Sequence, residues 1–528
     1  HCWRCKKPVI FRATEQWFIS MAENDLRRRA LEQVDRVRWI PAWGRDRIHG
    51  MLSARPDWCL SRQRTWGLPI PAFYCEGCNH AIMQRAVVDR IADIFARESS
   101  DAWFVREASE LLPPGFTCPR CGGAKFRKEK DIVDVWFESG VSYAAVCEQR
   151  EQYPIPVDLY LEGSDQHRGW FHSTLLAAVG TRGVAPYKTV LTHGFVVDGE
   201  GRKYSKSSQN YVPPERVIEK HGAEIFRLWV CATDFRGDLR FSDDILARLV
   251  EAYRKMRNTI RFMLGNLADF DPRTHSVPDD KLQPVDRYLL AKFGSLVEQV
   301  RKAYEVYDLH VVYQRVNEFA IVDLSAFYFD LLKDWLYCDP ADAPRRRSAQ
   351  TALYRLCRGF LSLLAPVLSF TAEEAHDFLP DDGDKPKSVH LTRLPEVEPL
   401  RLLDRDDVCE RFDRMRLYRE QVMAQLETFR AQKHHPLEAR AIIAGNFEVR
   451  DFLGRFGDLA PYFSVSQVEF CELNKTPGMT ESDKLPGFAV RIEQAQGAKC
   501  GRCWMWSPYV GTGANPELCE RCNRAVGK

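Results

Sequence analysis

Asp158-Leu159-Tyr160-Leu161-Glu162-Gly163-Ser164-Asp165-Gln166-His167-Arg168-Gly169-Trp170-Phe171 reads as a short apolar strand that ends on a glycine and hands the chain to a helix. An acidic and amide cluster then stands at the carboxyl end of a strand, where ligands bind in open parallel α/β sheets. Glu162 and Asp165 can accept hydrogen bonds from ribose hydroxyls or an ammonium group, and the Gln166 amide can donate to a carbonyl. Capping of the following helix accounts in part for Ser164 and Asp165.

The surroundings extend the pattern. Thr189-Val190-Leu191 and Phe195-Val196-Val197 are further strand-like runs, and alternation of such runs with turns and helices suggests a parallel α/β layer from Asp131 to about residue 240. Between those runs lies His193-Gly194, where glycine lets a flat base approach the backbone. Downstream comes Gly199-Glu200-Gly201-Arg202-Lys203-Tyr204-Ser205-Lys206-Ser207-Ser208-Gln209-Asn210. Two lysines three apart among hydroxyls and glycines make a cationic loop. Such a loop can close over a triphosphate and stabilise charge developing on departing pyrophosphate. Alone, it reads equally well as an exposed polar loop.

Cysteine usage points to metal. The chain has 17 cysteines among 528 residues, an odd count with many isolated positions, which argues against a secreted disulfide framework. Cys500 and Cys503 are followed by Cys519 and Cys522, and four thiolates give a closed tetrahedral zinc site able to fold a short module. Cys75, Cys78, Cys118 and Cys121 form a second double pair of zinc-ribbon type. Cys2 and Cys5 remain unassigned. Cys59, Cys147, Cys231, Cys338, Cys357, Cys409 and Cys471 read as small buried hydrophobes. Arg502, Arg521, Arg524 and Lys528 around the terminal site suggest phosphate contact. The zinc pairs favour a reducing cytoplasm.

Composition is that of an ordinary globular protein, with 45% hydrophobic and 28% charged residues. A net charge of +2 gives no case for nucleic acid from bulk charge, and no apolar run is long enough for a bilayer. Pro8-Val9-Ile10-Phe11 reads as a strand, Asn24 to Val37 as a helix, and 243 to 395 as a helical bundle punctuated by Pro272, Pro284, Pro340 and Pro366. Arg345-Arg346-Arg347 reads as a solvated inter-helix loop. A charged helix from Asp404 to Lys433 and a β-like tail complete the chain before the Cys-rich end.

On Asp57 to Gly67, Asp134-Val135-Trp136-Phe137-Glu138-Ser139-Gly140, Leu161 to Phe171, Leu191 to Val197, the lysine–serine loop, Tyr253 to Phe262 and the terminal cysteines, the chain resembles the isoleucyl-tRNA synthetases, a class I aminoacyl-tRNA synthetase family. The resemblance covers essentially the whole chain. It implies ATP- and Mg²⁺-dependent activation of isoleucine to an aminoacyl-adenylate and transfer to tRNA(Ile). Glu162, Gly163, Asp165 and Gln166 match adenylate-binding positions. Trp136 and Trp170 match the walls of the isoleucine pocket. His193, Gly194, Lys203, Ser205, Lys206 and Ser207 match ATP-binding positions, with Lys203 and Lys206 as the catalytic lysines. An apolar pocket separates amino acids differing by one methylene by only about 1–3 kcal/mol, which is why the family adds an editing domain.

The implied architecture is multidomain α/β plus α. Residues 1–70 form a catalytic segment and 71–130 a zinc-ribbon-like insertion. Residues 131–242 are the second half of a Rossmann-like parallel-sheet catalytic domain. A helical anticodon-binding domain at 243–395 follows, with Arg254, Lys255, Arg257 and Arg261 facing phosphates. A mixed α/β C-terminal junction region spans 396–495, and a zinc module spans 496–528. The expected partners are tRNA(Ile), isoleucine and ATP, with no membrane, and the expected state is a monomer. The family's His-x-Gly-His element and editing domain are absent from these residues, so the chain is expected to be a C-terminal part, inactive in adenylation by itself. Tyr204 stands where the family has Met, Ser208-Gln209 replaces an apolar–glycine pair, and Glu138 replaces Asp. The competing readings are a non-catalytic tRNA-binding relic and a valine- or leucine-specific sibling.

Overall fold

The computed structural model describes the chain except for residues 3–4, 11–12, 203, 205–210, 473–478, 480 and 528. It divides into two compact units, one of His1–Val196 with Phe235–Leu239 and one of Val197–Asp234 with Arg240–Lys528.

The first unit is organised by a parallel three-stranded sheet. Its strands are β1 (Arg38–Ile40), β2 (Val157–Gly163) and β3 (Tyr187–His193), in the order β1-β3-β2. Both pairings are parallel, and β3 is the central strand, so Val190, Leu191 and Thr192 are buried. Three helices matter for the site: α1 (Leu26–Val34), α2 (Val135–Gly140) and α3 (Trp170–Arg182). From α3, Phe171, Leu175 and Val179 enter the core with Leu26, Val34, Trp39, Tyr160 and Tyr187. Gly183, at φ +81°, ends α3 with its N–H on the Val179 carbonyl, a left-handed cap that a side chain would strain.

Residues 71–130 of this unit carry their own core. Phe73–Cys75 pairs antiparallel with Ala81–Ile82 and with Phe126–Lys128. The helix Arg85–Glu98 lays Val87, Ile91 and Ile94 against Phe73 and Trp103.

The second unit is mainly helical. Its long helices are α4 (Asp243–Gly265), α5 (Pro284–Glu305) and α6 (Leu309–Glu318). The wide-turned segment Phe319–Phe329 runs from α6 into α7 (Asp330–Cys338). There follow α8 (Pro344–Leu364), α9 (Ser369–Asp377) and α10 (Val408–Ala431). The Ser242 hydroxyl accepts from the Ile245 N–H to start α4, and Asp243 and Asp244 sit favourably in its first turn. Beyond α10, β4 (Ala439–Gly445) is flanked by β5 (Gln467–Cys471), parallel, and β6 (Phe488–Gln494), antiparallel. The terminal module pairs Ala498–Lys499 with Trp506–Ser507 and ends in α11 (Glu520–Val526).

Several sequence expectations are corrected. Pro8–Ile10 lie in no strand, and Ile10 is 94% exposed. β-branched residues favour a strand only when a partner strand and a packed face are present. Arg345–Arg347 are not a solvated loop but the first turn of α8. Arg345 pairs with Asp339, Arg346 with Asp269 at 2.7 Å, and Arg347 donates to the Gln350 side chain at 2.9 Å. Of the seven isolated cysteines, Cys231, Cys338 and Cys357 are buried, whereas Cys59, Cys147, Cys409 and Cys471 are only partly covered.

Candidate functional site

The parallel register puts Leu161 beside Leu191, Glu162 beside Thr192 and Gly163 beside His193. Two strands therefore end side by side, and the groups following each are presented at one edge of the sheet. A methyl group on Gly163 would stand 2.9 Å from the Asp165 carboxylate and 3.7 Å from the His193 ring, so the glycine keeps these groups together. Glu162 and Asp165 are exposed. Gln166 is held at both ends: its amide donates to Asp165 at 3.0 Å, and its carbonyl accepts from the Trp170 N–H at 2.9 Å.

His193 Nδ1 lies 2.8 Å from the Gly194 carbonyl, and the Gly194 N–H donates to the Phe235 carbonyl at 2.9 Å. A Cβ on Gly194 would fall 2.1 Å from the Gly237 carbonyl oxygen, so only glycine fits there.

The two tryptophans are positioned differently. The Trp170 indole N–H donates to the Ser139 carbonyl and the Ser142 hydroxyl, both at 3.1 Å, and its ring stacks on Tyr160 at 4.2 Å. It is thereby fixed as a half-buried wall. Trp136 is 41% exposed, and its ring edge lies against Gly169, where a Cβ would be 2.7 Å from it and 2.6 Å from the Gln166 carbonyl. Gln166, Gly169, Trp136 and Trp170 thus form one contact group.

Asp134 is an organiser that sequence reasoning passed over. This buried carboxylate accepts from the Trp136 N–H as the cap of α2, from the Trp58 indole at 3.0 Å, and pairs with Arg62 at 3.0 Å. An aspartate just before a helical run was the available signal. Glu138 accepts from the Leu68 N–H at 3.1 Å. Lys203, Ser205, Lys206 and Ser207 lie outside the described residues. Tyr204 packs its ring near Phe241 and Tyr211, both at 5.9 Å.

Two groups of four cysteines could each hold a metal ion, with ligand atoms within 4.8 Å of one another: Cys75, Cys78, Cys118 and Cys121, and Cys500, Cys503, Cys519 and Cys522. Sulfur separations of 3.5 Å (Cys75–Cys121), 3.7 Å (Cys78–Cys118) and 3.8 Å (Cys503–Cys519) are far from a bonded disulfide. They match the edge of about 3.8 Å of a tetrahedron with metal–sulfur bonds of about 2.3 Å. The knuckles supply the turn: Asn79, Gly122 and Trp504 take positive φ, and each N–H returns to the carbonyl of the first cysteine of its pair. Burial opposes ionisation of Cys500, but backbone N–H groups of Cys503, Cys519 and Arg502 outweigh it and bring the thiol down to about 6. At Cys118 burial is likewise outweighed, by the N–H groups of Arg120 and Cys121, and the thiol falls to about 7.

Two of the three arginines around the terminal cysteines are engaged within the chain rather than free for phosphate. Arg521 grips Asp334 of α7, and Arg502 donates to the Cys338 and Tyr337 carbonyls. Both guanidiniums hold the module against the helical bundle. Arg524 is exposed.

Residues 4–242 match the family model described as tRNA synthetases class I (I, L, M and V), and residues 286–443 match the anticodon-binding domain of tRNA ligase. The chain belongs to the class I tRNA synthetase family. Within it, the chain is similar along its whole length to isoleucine–tRNA ligases. It is 50% identical over 530 residues to that of Geobacter sulfurreducens, covering 100% of this chain and 57% of the relative. It is 52% identical over 527 residues to that of Syntrophotalea carbinolica, covering 99% and 56%. The chain thus spans a little over half the length of these relatives. Methionyl-tRNA synthetase of Mycobacterium tuberculosis, solved with methionyl-adenylate, shares the fold at a TM-score of 0.50 and 17% identity, over 72% of this chain and 66% of that one. No helix among the described residues is long and apolar enough to cross a membrane.

Proposed function

We propose that this chain is part of an isoleucine–tRNA ligase, which activates isoleucine with ATP to isoleucyl-adenylate and transfers it to tRNA(Ile). The observation carrying the reading is the side-by-side ending of β2 and β3. It gathers Glu162, Gly163, Asp165, Gln166, His193 and Gly194 at one edge of the sheet, in a chain that is about half identical over its whole length to isoleucine–tRNA ligases. Glu162 and Asp165 bind the hydroxyl and ammonium groups of the adenylate, and Gln166, held at both ends, orients it. Gly163 and Gly194 let the nucleotide approach the backbone beside His193. Trp136 and Trp170 wall the aliphatic side chain, with Trp170 immobilised on Tyr160 so that the pocket keeps its shape. Lys203 and Lys206, with Ser205 and Ser207, neutralise the phosphates as pyrophosphate leaves; Mg²⁺ accompanies the ATP.

Both cysteine groups bind structural zinc in this reading, since four thiolates leave no open coordination position. The segments act as a catalytic part (1–70 and 131–242), a zinc-ribbon insertion (71–130), an anticodon-binding bundle (243–395), a junction region (396–495) and a zinc module (496–528), working as a monomer in the cytoplasm.

The test is amino-acid-dependent ATP–pyrophosphate exchange by the product of the complete reading frame, run with isoleucine, valine and leucine. Isoleucine is expected to give the highest kcat/KM by a wide margin. Exchange led by valine or leucine supports the sibling, and exchange with none supports the binding relic.

A further inference from the structure

The terminal cysteine group has a fifth thiol beside it. Cys338, at the C-terminal end of α7, is buried in one cluster with Cys500, Cys503, Cys519 and Cys522. It stands outside the group of four whose sulfurs lie within 4.8 Å of one another. Tetrahedral coordination is complete with four thiolates, so Cys338 keeps its S–H when the site is loaded. Arg502 fixes its place. That guanidinium donates to the Cys338 carbonyl and lies 3.7 Å from the Cys522 sulfur, so one side chain bridges the helix end and the module.

A cavity of about 530 Å³ opens onto this spot; its walls include Asp334, Tyr337, Cys338, Arg502, Cys503 and Trp504. Of the four ligand cysteines, Cys503 alone is among its described walls, while Cys500 and Cys522 are fully buried. Cys500 is further tied by the Cys519 N–H, which donates to its sulfur at 3.3 Å. A small polar oxidant entering the cavity therefore meets Cys503 before the other ligands. Thiolates rather than thiols are the nucleophiles, and a metal-bound cysteine is deprotonated.

We propose that Cys338 is the resolving thiol of the terminal module: oxidation of Cys503 by hydrogen peroxide ends in a Cys338–Cys503 disulfide and loss of the metal. The inference rests on reading the four cysteines as a zinc site. In the first step the Cys503 sulfur attacks a peroxide oxygen. The S–O bond forms, the O–O bond breaks, and hydroxide leaves and takes a proton from solvent. In the second step the Cys338 sulfur attacks the sulfenic sulfur of Cys503. The S–S bond forms, the S–O bond breaks, and the departing hydroxide takes the Cys338 proton. One peroxide is reduced to two waters as two cysteines are oxidised. The site, left with three thiolates, releases its metal. Arg521 on Asp334 and Arg502 on the Cys338 and Tyr337 carbonyls keep the module docked meanwhile, so a reductant and zinc restore it. Without a resolving thiol the sulfenic acid proceeds to sulfinic acid, which thiol reductants do not reverse.

The experiment treats the zinc-loaded full chain with excess hydrogen peroxide. Released zinc is followed with a chromogenic chelator, and disulfides and oxygen adducts are mapped by peptide mass spectrometry. Dithiothreitol and zinc are then added back. The parent should lose zinc in step with the appearance of the Cys338–Cys503 peptide and regain it on reduction. Cys338→Ser should load zinc like the parent, gain two oxygens on Cys503 under peroxide, and regain little. Cys409→Ser, on α10, should behave as the parent does. Mapping in the parent needs no substitution, so the test stands even should Cys338→Ser fail to load. Disulfides confined to the four module cysteines, full recovery by Cys338→Ser, or undiminished zinc in excess peroxide would each overturn the proposal. A module that never carries metal yet forms the Cys338–Cys503 bond sinks the zinc reading and keeps the resolving role. A loaded module that oxidises without Cys338 sinks the resolving role alone.

Discussion

Arg521 donates from both terminal nitrogens to the two carboxylate oxygens of Asp334, at 2.5 and 2.6 Å, and so ties the last helix of the chain to α7 across 187 positions of sequence. The pair is largely shielded, and charge-assisted bonds of this kind contribute about 1.5–3 kcal/mol each way. Asp334→Ala should therefore leave Arg521 unmatched beside buried thiols and loosen the terminal module by about 2 kcal/mol. The check is the rate at which a chelator strips metal from the module. It should rise at least several-fold in Asp334→Ala and Arg521→Ala, and the double variant should be little worse than either.

Metal content follows from the two cysteine groups. The purified chain should carry two equivalents of zinc by elemental analysis. Cys78→Ser and Cys522→Ser should each remove one equivalent, and limited proteolysis should then cut only the segment that lost its ion. Cleavage at 71–130 upon Cys522→Ser would contradict the independence of the two sites.

Asp286 is fully buried on α5, where the Tyr328 and Ser348 hydroxyls donate to its carboxylate. Burial raises its carboxyl to about 7 despite those bonds. The folded state therefore holds a proton that an unfolded chain releases near pH 4. This stabilisation is complete below the unfolded value and disappears as pH rises through 7. Asp286→Asn, which cannot ionise, should melt at a higher temperature than the parent at pH 8, and the advantage should shrink as pH falls toward 5. A constant difference across that range would show that Asp286 does not titrate there.

Gly169 is where Trp136 and the Gln166 carbonyl meet, each under 3 Å from an added methyl. Gly169→Ala must push the tryptophan outward and disturb Gln166. In the complete protein the KM for isoleucine in pyrophosphate exchange should rise about tenfold or more, with the KM for ATP little changed. Equal loss on both substrates would mean the contact supports the whole site rather than the amino-acid pocket.

Much of the fold was legible because its signals are local. The apolar alternation of Leu159-Tyr160-Leu161 and Thr189-Val190-Leu191 marks β2 and β3, and the three- and four-residue spacing of Leu246, Leu249, Tyr253 and Met256 marks α4. The cysteine pairs declared themselves by spacing. What stayed hidden depends on distant partners. The bond from Trp58 to Asp134 spans 76 positions, and nothing near Asp134 announces it. Arg502 and Arg521 look like phosphate ligands when only their neighbours are read, because the groups that engage them lie on α7. Arg346 looks solvated for the same reason, since its partner Asp269 lies 77 positions away; Asp339 is only six positions before Arg345, and what hid that pair is the turn that folds it back.

Binding of a non-hydrolysable isoleucyl-adenylate analogue, followed by calorimetry on the complete protein and its Gly163→Ala variant, probes the sheet edge itself. The added methyl would meet the Asp165 carboxylate at 2.9 Å, a flexible group that can yield without unfolding the sheet. The account predicts an intact fold and at least a tenfold weaker analogue. Undiminished binding by Gly163→Ala would mean that the nucleotide does not lie where β2 and β3 end.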